Sequence, residues 1–288
     1  MKILILGASG TVGRALHKTL STKYEVYGTF NQNKPEDVDD KYWLKYDIAD
    51  AGLTDDILSA VKPDIVISSL TGNYKNQFLV HKRVAKHLKQ YSGFCIFLST
   101  ANVFDGSPDR CHSEDDPPYP FSDYGKFKQS CEELLLQSLG EDNCLIVRLP
   151  KILAKREISN MIQQVKNGQP IYSNLYMSLN TDENVASAIQ YCIDSRKSGT
   201  LHLTSYDYMS VDEYIGLLFE QSDENIKYDA KKLTVDEYCA IFNREDASVL
   251  RLSGDANFYV ALKSIDVDVA TRFGLSCREA VMQICLRS

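Results

Sequence analysis

A chain of 288 residues, 44% hydrophobic and 25% charged, has enough apolar surface for one large folded domain or a domain with a smaller lobe, which excludes disorder as the default. The formal net charge of −7 and the pI near 5.3 argue against a general electrostatic grip on nucleic acid or anionic lipid, because such partners need a basic face. We therefore expect a small-molecule ligand, and neither nucleic acid nor membrane as a partner.

The eight cysteines are scattered, with no C-x-x-C pair and no Cys/His cluster at zinc spacing. This pattern predicts buried thiols of a reducing compartment and no metal site. The amino-terminal stretch MKILILGASG has one lysine and too short an apolar run for a signal peptide, and no run approaches the roughly 18 apolar residues of a membrane span. We expect a cytoplasmic protein.

Short apolar runs alternate with amphipathic stretches through the first half of the chain. The runs predict strands, and they read KILILG, YEVYGTF, DIVISS, FCIFLS and CLIVRL. The intervening stretches predict helices at about 11–20, 54–61, 76–91 and 123–138. This alternation is typical of βαβ units, so we predict an α/β fold with a Rossmann-type, doubly wound parallel sheet.

After Pro150 the alternation loosens. REISNMIQQVKNG and NVASAIQYCIDS predict helices, GTLHLTS predicts a strand that rejoins the sheet, and three helical patterns follow in SVDEYIGLLFEQ, TVDEYCAIFN and CREAVMQICL. We predict a dinucleotide-binding domain over residues 1–150, rejoined by about 180–205. Residues 151–180 and 206–288 would form a smaller, mostly helical substrate-binding lobe.

Three glycines, Gly7, Gly10 and Gly13, lie between the first predicted strand and the first predicted helix in a G-x-x-G-x-x-G arrangement. A tight turn, a backbone that a pyrophosphate can approach and a helix amino terminus together favour a dinucleotide. The alternative is a tight turn without a ligand. The candidate cofactor-binding residues at this turn and at the ends of the strands are Gly7, Ser9, Gly10, Thr11, Val12, Gly13, Thr29, Asn31, Asp47, Ser68, Ser69 and Ser99.

The second strand lacks the acid that usually binds the ribose 2′-hydroxyl of NAD. Thr29, Phe30 and Asn31 stand where an Asp or Glu is expected. Loss of the acid removes repulsion toward a 2′-phosphate, so we favour NADP as the cofactor, with NAD as the alternative. Nearby donors are Ser9, Arg14, Thr29, Asn31 and Lys34. Asp47 either reaches the adenine edge or begins a turn.

Tyr124 and Lys128 are four residues apart at the start of a predicted helix, so both can face one pocket. A fixed ammonium stabilises phenolate and lowers the pKa of a tyrosine, and such a pair can move a proton on a substrate oxygen while a nicotinamide moves a hydride. The alternative is an exposed tyrosine and an exposed lysine. Ser99 and Thr100 end a buried strand at its carboxyl end, where ligands of open α/β sheets bind.

With these motifs the chain resembles the extended short-chain dehydrogenase/reductase superfamily, and its dTDP-4-dehydrorhamnose reductase-like branch of sugar-nucleotide reductases and epimerases in particular. The segments that carry the resemblance are STANVFDG, HSEDDPPYP, YGKFKQSCEELL, VRLPKILA and GTLHLTS, within roughly residues 1–205. The resemblance implies that Thr100 hydrogen-bonds the reacting sugar oxygen and that Tyr124 is the acid/base. It also implies that Lys128 binds the nicotinamide ribose and tunes the tyrosine.

Several positions depart from the branch. Ala101 and Asn102 replace an Asp-Tyr pair beside Thr100, and His81 stands where an Asn is common. The late arginine-proline stretch has only Arg244 and Arg251 as loose counterparts. The substrate is therefore not inherited from the family.

The resemblance implies an NADP-dependent oxidoreductase that reduces a keto group of a nucleotide-activated sugar. Two alternatives stay open. One is a nucleotide-sugar epimerase or dehydratase, although Ala101 and Asn102 lack the acids of a dehydratase. The other is a non-catalytic NADP-binding regulatory subunit, as methionine adenosyltransferase has within the same branch. A homodimer is also left open.

Overall fold

The structure, a computed structural model, describes residues 1–36, 39–221, 227–244, 246–252 and 257–286. The chain divides into two compact units, each built from three segments. The first unit consists of Met1–Ser99, Phe127–Arg148 and Asp182–Leu201. The second consists of Thr100–Lys126, Leu149–Thr181 and His202–Ser288.

A seven-stranded sheet forms the centre of the first unit. Its strands are β1 (Lys2–Leu6), β2 (Glu25–Phe30), β3 (Trp43–Lys45), β4 (Ile65–Ser68), β5 (Phe94–Thr100), β6 (Cys144–Leu149) and β11 (Gly199–His202). They lie in the order β11-β6-β5-β4-β1-β2-β3, and the pairs joining β3, β2, β1, β4 and β5 are parallel. The order reverses at β1, which is the point where an open α/β sheet offers a crevice to a ligand.

The helices of this sheet are α1 (Thr11–Leu20), α2 (Ala51–Val61), α3 (Tyr74–Tyr91), α4 (Asp123–Leu139) and α6 (Asp182–Asp194). Side-chain caps fix two of the helix starts, since Asp50 accepts from the backbone of α2 and Asn73 from that of α3. Trp43 of β3 is buried, and its ring lies 4.5 Å from that of His17 in α1.

The second unit combines small sheets with helices. Its strands are β7 (Lys151–Leu153), β8 (Ile171–Tyr172), β9 (Leu175–Met177), β10 (Leu179–Thr181), β12 (Met209–Ser210), β13 (Ala230–Lys231) and β14 (Phe258–Val260). Its helices are α5 (Lys155–Lys166), α7 (Val211–Glu220), α8 (Val235–Ile241), α9 (Val267–Phe273) and α10 (Cys277–Cys285). Capping boxes begin α7, α8 and α10, so the sequence itself sets these three starts.

The predicted fold class is confirmed: a parallel, Rossmann-like sheet flanked by helices, with a helical carboxyl-terminal portion. The sequence did not predict β3 or the strands of two or three residues, because such short segments carry no periodicity. Within the described ranges, no helix has the length and apolarity needed to cross a membrane.

Candidate active site

The glycine turn between β1 and α1 is built from backbone contacts that a side chain would block. Gly7 has a φ of +80°, and a Cβ there would lie 2.6 Å from the Ser69 carbonyl oxygen. A Cβ on Gly13 would lie 2.4 Å from the Gly7 carbonyl oxygen, so the first turn of α1 packs directly on the loop. Gly10 is the N-cap of α1 and provides no side-chain cap, which leaves the first amide groups of the helix to a ligand.

A cavity of about 380 Å³ lies beside this turn, at the carboxyl ends of β1, β2 and β4. Seven of the predicted cofactor residues line it: Gly7, Ser9, Gly10, Thr29, Asn31, Asp47 and Ser69. Thr11 and Val12 are the first two residues of α1 and are partly exposed. A glycine cradle, an uncapped helix start and a cavity at the sheet's switch point fit a dinucleotide.

Some polar residues of this cavity were not predicted from the sequence. They are Thr71, Asn73 and Asn76, which follow β4 at the start of α3. The signal was present in the segment SSLTGN, since it follows a buried strand at the same edge of the sheet as the glycine turn.

Thr29 faces the turn itself. Its side chain is buried, and its Oγ1 accepts a hydrogen bond from the Gly7 amide at 2.9 Å. The hydroxyl therefore stabilises the loop that the phosphates would approach.

Ser68 and Ser99, two predicted cofactor residues, are both buried and hydrogen-bonded within the first unit. The Ser68 hydroxyl lies 2.8 Å from Nε2 of His81, and the Ser99 hydroxyl donates to the Glu132 carboxylate. Neither residue lines the cavity beside the glycine turn. Glu132 also forms a buried ion pair with Arg148 at 2.8 Å.

Burial sets the protonation of the polar groups around His81. Complete burial, with Lys128 nearby, lowers the pKa of His81 to about 3, so the imidazole is neutral. Lys128 is buried as well, and its Nζ donates to the Leu98 carbonyl oxygen at 2.7 Å. Burial lowers the pKa of Lys128 to about 8, partly offset by Cys131 and Glu132.

The two basic residues that the sequence predicts as donors to a 2′-phosphate, Arg14 and Lys34, have different hydrogen-bond and ion-pair partners. Arg14 is exposed, and its Nε donates to the Ser9 carbonyl oxygen at 2.8 Å, which holds the guanidinium beside the glycine turn. Lys34 is ion-paired with Asp40. Asp47 accepts the Ala49 amide at 2.9 Å and lines the cavity, so both of its alternative predicted roles stay open.

A second cavity, of about 530 Å³, lies in the second unit. Thr100 and Tyr124 both line it, although 23 residues separate them in the chain. Tyr124 lies in the first turn of α4 and is exposed, whereas Thr100 is buried at the end of β5. The remaining walls are mostly apolar: Ala101, Asn102, Leu149, Pro150, Lys151, Ile152, Leu175, Met177, Val211 and Val260.

Arg244 and Arg251, the loose counterparts of the family's arginine-proline stretch, both contact side chains of the second unit. Arg244 forms an ion pair with Asp123, at the start of α4. The guanidinium of Arg251 lies 3.9 Å from the centre of the Tyr119 ring. Among the described residues, no group of His, Cys, Asp and Glu side chains is arranged to hold a metal ion.

The sequence profile of the RmlD substrate binding domain matches residues 1–264. The chain belongs to this family. The predicted resemblance to the dTDP-4-dehydrorhamnose reductase-like branch is thereby confirmed.

Other known proteins are similar to the chain. The methionine adenosyltransferase 2 subunit beta of Danio rerio is 23% identical over 168 residues, which are 54% of this chain and 49% of that protein. The chain therefore matches about half the length of this curated relative. A crystal structure of a dTDP-4-dehydrorhamnose reductase from Clostridium acetobutylicum superposes with a TM-score of 0.77 at 20% identity, covering 100% of both chains. The dTDP-4-dehydrorhamnose reductase of Bacillus anthracis in complex with NADP has a TM-score of 0.74 at 17% identity, covering 100% of this chain and 99% of that one.

Proposed function

We propose that this protein is an NADP-dependent oxidoreductase that reduces a keto group of a nucleotide-activated sugar. The observation that carries the proposal is that Thr100 and Tyr124, far apart in sequence, line one cavity with mostly apolar walls. Family membership supports it, since the solved structures that superpose on the whole chain include reductases of a nucleotide-linked ketosugar.

The proposed chemistry assigns one proton transfer to the second unit. When bound, NADPH supplies the hydride for the carbonyl carbon. The Tyr124 hydroxyl gives its proton to the oxygen of that carbonyl as negative charge develops there. Thr100 forms a hydrogen bond to the same oxygen once it carries the proton, in the alcohol that results. Lys128 stays the predicted ligand of the nicotinamide ribose and the residue predicted to lower the pKa of Tyr124.

The residues of the glycine turn are proposed to hold the dinucleotide. Gly7, Gly10 and Gly13 give the pyrophosphate access to backbone amides at the start of α1. We prefer NADP to NAD because Asn31 lines the cavity where a carboxylate would repel a 2′-phosphate, while the Arg14 guanidinium is held beside the turn. Similar structures have been solved in complex with NADP and in complex with NAD, which is consistent with either cofactor.

The decisive experiment measures NADPH consumption by the pure protein with a panel of nucleotide-linked ketosugars, starting with dTDP-4-dehydrorhamnose. We expect turnover of at least one of them, with NADPH bound more tightly than NADH in a parallel titration. Tighter NADH binding would reverse the cofactor assignment. If no sugar of the panel is turned over while NADPH still binds, the protein is assigned as a non-catalytic regulatory subunit instead of a reductase. That role is consistent with the similarity to the methionine adenosyltransferase 2 subunit beta.

We also propose a cytoplasmic location, because all eight cysteines are free in the structure and six of them are buried. A homodimer is a further proposal, which sedimentation of the pure protein would test.

A further inference from the structure

Asp105 fixes the orientation of the amide group next to Thr100. Its side chain is completely buried, and its carboxylate accepts from the Phe121 amide at 2.5 Å, the Ser122 amide at 3.1 Å and the Ser122 hydroxyl at 2.5 Å. Nδ2 of Asn102 also donates to Asp105, at 3.4 Å. Because a carboxylate only accepts hydrogen bonds, the amide of Asn102 must turn its nitrogen toward Asp105.

The oxygen of the same amide then faces Thr100. The Thr100 hydroxyl donates to Oδ1 of Asn102 at 3.1 Å, and the Asn102 backbone amide donates back to Oγ1 of Thr100 at 3.3 Å. The proton of the Thr100 hydroxyl is thus directed at Asn102. Toward the cavity that Thr100 and Asn102 both line, the Thr100 oxygen therefore acts as an acceptor.

This inference rests on the proposed function. We propose that Asn102 is a positioning residue that holds the Thr100 hydroxyl as a hydrogen-bond acceptor, so that the cavity binds the alcohol form of the sugar more tightly than the ketone form. Asn102 is the position where the resemblance described above places a tyrosine.

The two forms of the sugar differ in what they offer to Thr100. A ketone oxygen only accepts, whereas an alcohol oxygen carries a proton that it can donate. To donate to a ketone, the Thr100 hydroxyl must leave Asn102. The roles in the cavity are therefore divided: Tyr124 donates to the ketone oxygen, and Thr100 accepts from the hydroxyl that forms.

The test compares four proteins: wild type, Asn102→Leu, Thr100→Val and the double variant. Leucine keeps the approximate volume of asparagine and removes its acceptor. Calorimetry measures dissociation constants in two combinations that cannot react, dTDP-rhamnose with NADPH and dTDP-4-dehydrorhamnose with NADP. If another ketosugar of the panel is turned over faster, that sugar and its alcohol replace this pair.

In Asn102→Leu we expect the preference for alcohol over ketone to fall by about 2- to 12-fold, the range for one neutral hydrogen bond. In the Thr100→Val background, the same substitution should change the preference by less than about 2-fold, because the hydroxyl through which Asn102 acts is already absent. Asn102→Ala serves in both backgrounds if the leucine variant does not fold.

The outcomes separate the inference from the function on which it rests. Equal weakening of both sugars by Asn102→Leu would show a merely structural role and overturn the inference. So would a full shift of the preference in the Thr100→Val background. If the wild type turns over no ketosugar, the proposed function fails and this inference fails with it, whereas turnover with an unchanged preference removes the inference alone.

Discussion

The two cavities are built from different parts of the chain. The cavity beside the glycine turn in the first unit depends on backbone geometry, since Gly7 and Gly13 are required for contacts that any Cβ would break. The cavity of the second unit depends on side chains, with Tyr124 as the proposed proton donor and Thr100 as the proposed hydrogen-bonding group. A binding site formed by the backbone can therefore be recognised in the sequence from its glycines. A binding site formed by side chains can be interpreted only when the hydrogen-bond partners of each side chain are known.

The largest effect is expected in the cavity of the second unit. Tyr124→Phe removes the proposed proton donor and keeps the ring, so kcat should fall by about 100-fold or more, the usual scale for a general acid. Tyr91→Phe is the matched control, because Tyr91 is 63% exposed at the end of α3. Steady-state NADPH oxidation measures both, and unchanged turnover in Tyr124→Phe would end its assignment as the acid.

A second effect tests how completely the first unit excludes water from the Lys128 ammonium group. Its pKa is lowered by burial from the ordinary 10.5 to about 8, so between these values the unfolded chain binds more protons and stability rises with pH. Relative to Lys128→Met, the free energy of unfolding of the wild type should gain about 3 kcal/mol between pH 8 and pH 10.5.

Denaturant titrations at several pH values measure this difference, and Lys126→Met provides the control, because Lys126 is an exposed residue of the same helix. Parallel pH curves for the wild type and Lys128→Met would show that the ammonium is hydrated in solution.

A third effect tests the backbone cavity. Gly13→Ala places a Cβ 2.4 Å from the Gly7 carbonyl oxygen, and overpacking of this kind costs about 1 to 3 kcal/mol. NADPH binding should weaken by roughly 5- to 150-fold if the turn bears that distortion. Gly52→Ala in α2 is the control, since a Cβ there has its nearest contact at 3.4 Å. If a fluorescence titration gives equal NADPH affinities for the wild type and Gly13→Ala, the glycine turn accommodates the added Cβ without loss of binding.

The smallest effect separates two adjacent serines. Ser69 lines the cavity beside the glycine turn, whereas the Ser68 hydroxyl is bonded to His81. Ser69→Ala should weaken NADPH binding by about 2- to 12-fold through one lost hydrogen bond. Ser68→Ala should leave the affinity within about 2-fold and lower the stability instead, because Nε2 of His81 loses its partner. The reverse order of affinities would show that Ser68 turns toward the ligand.

Much of the fold could be predicted from the sequence, because the strands of the first half are long apolar runs and the helices between them are strongly periodic. The observed α1, Thr11–Leu20, has the predicted limits. The three residues of β3 could not be predicted, since they are too few to show alternation.

The candidate site divides in the same way. Gly7 and Gly13 were recognisable because only glycine fits such a turn. The hydrogen bonds of the Thr29 and Ser99 side chains within the first unit could not be predicted. Their partners are distant in the chain and become neighbours only when the sheet forms. The roles of the site residues and the domain limits stay predictions.

The position of Trp43 has a practical consequence for measuring this protein. It is the single tryptophan of the chain, it is buried, and it lies in the first unit. Its emission therefore reports the unfolding of the sheet unit alone, while circular dichroism follows the helices of both units. Different midpoints from the two signals would reveal that the units unfold in separate steps.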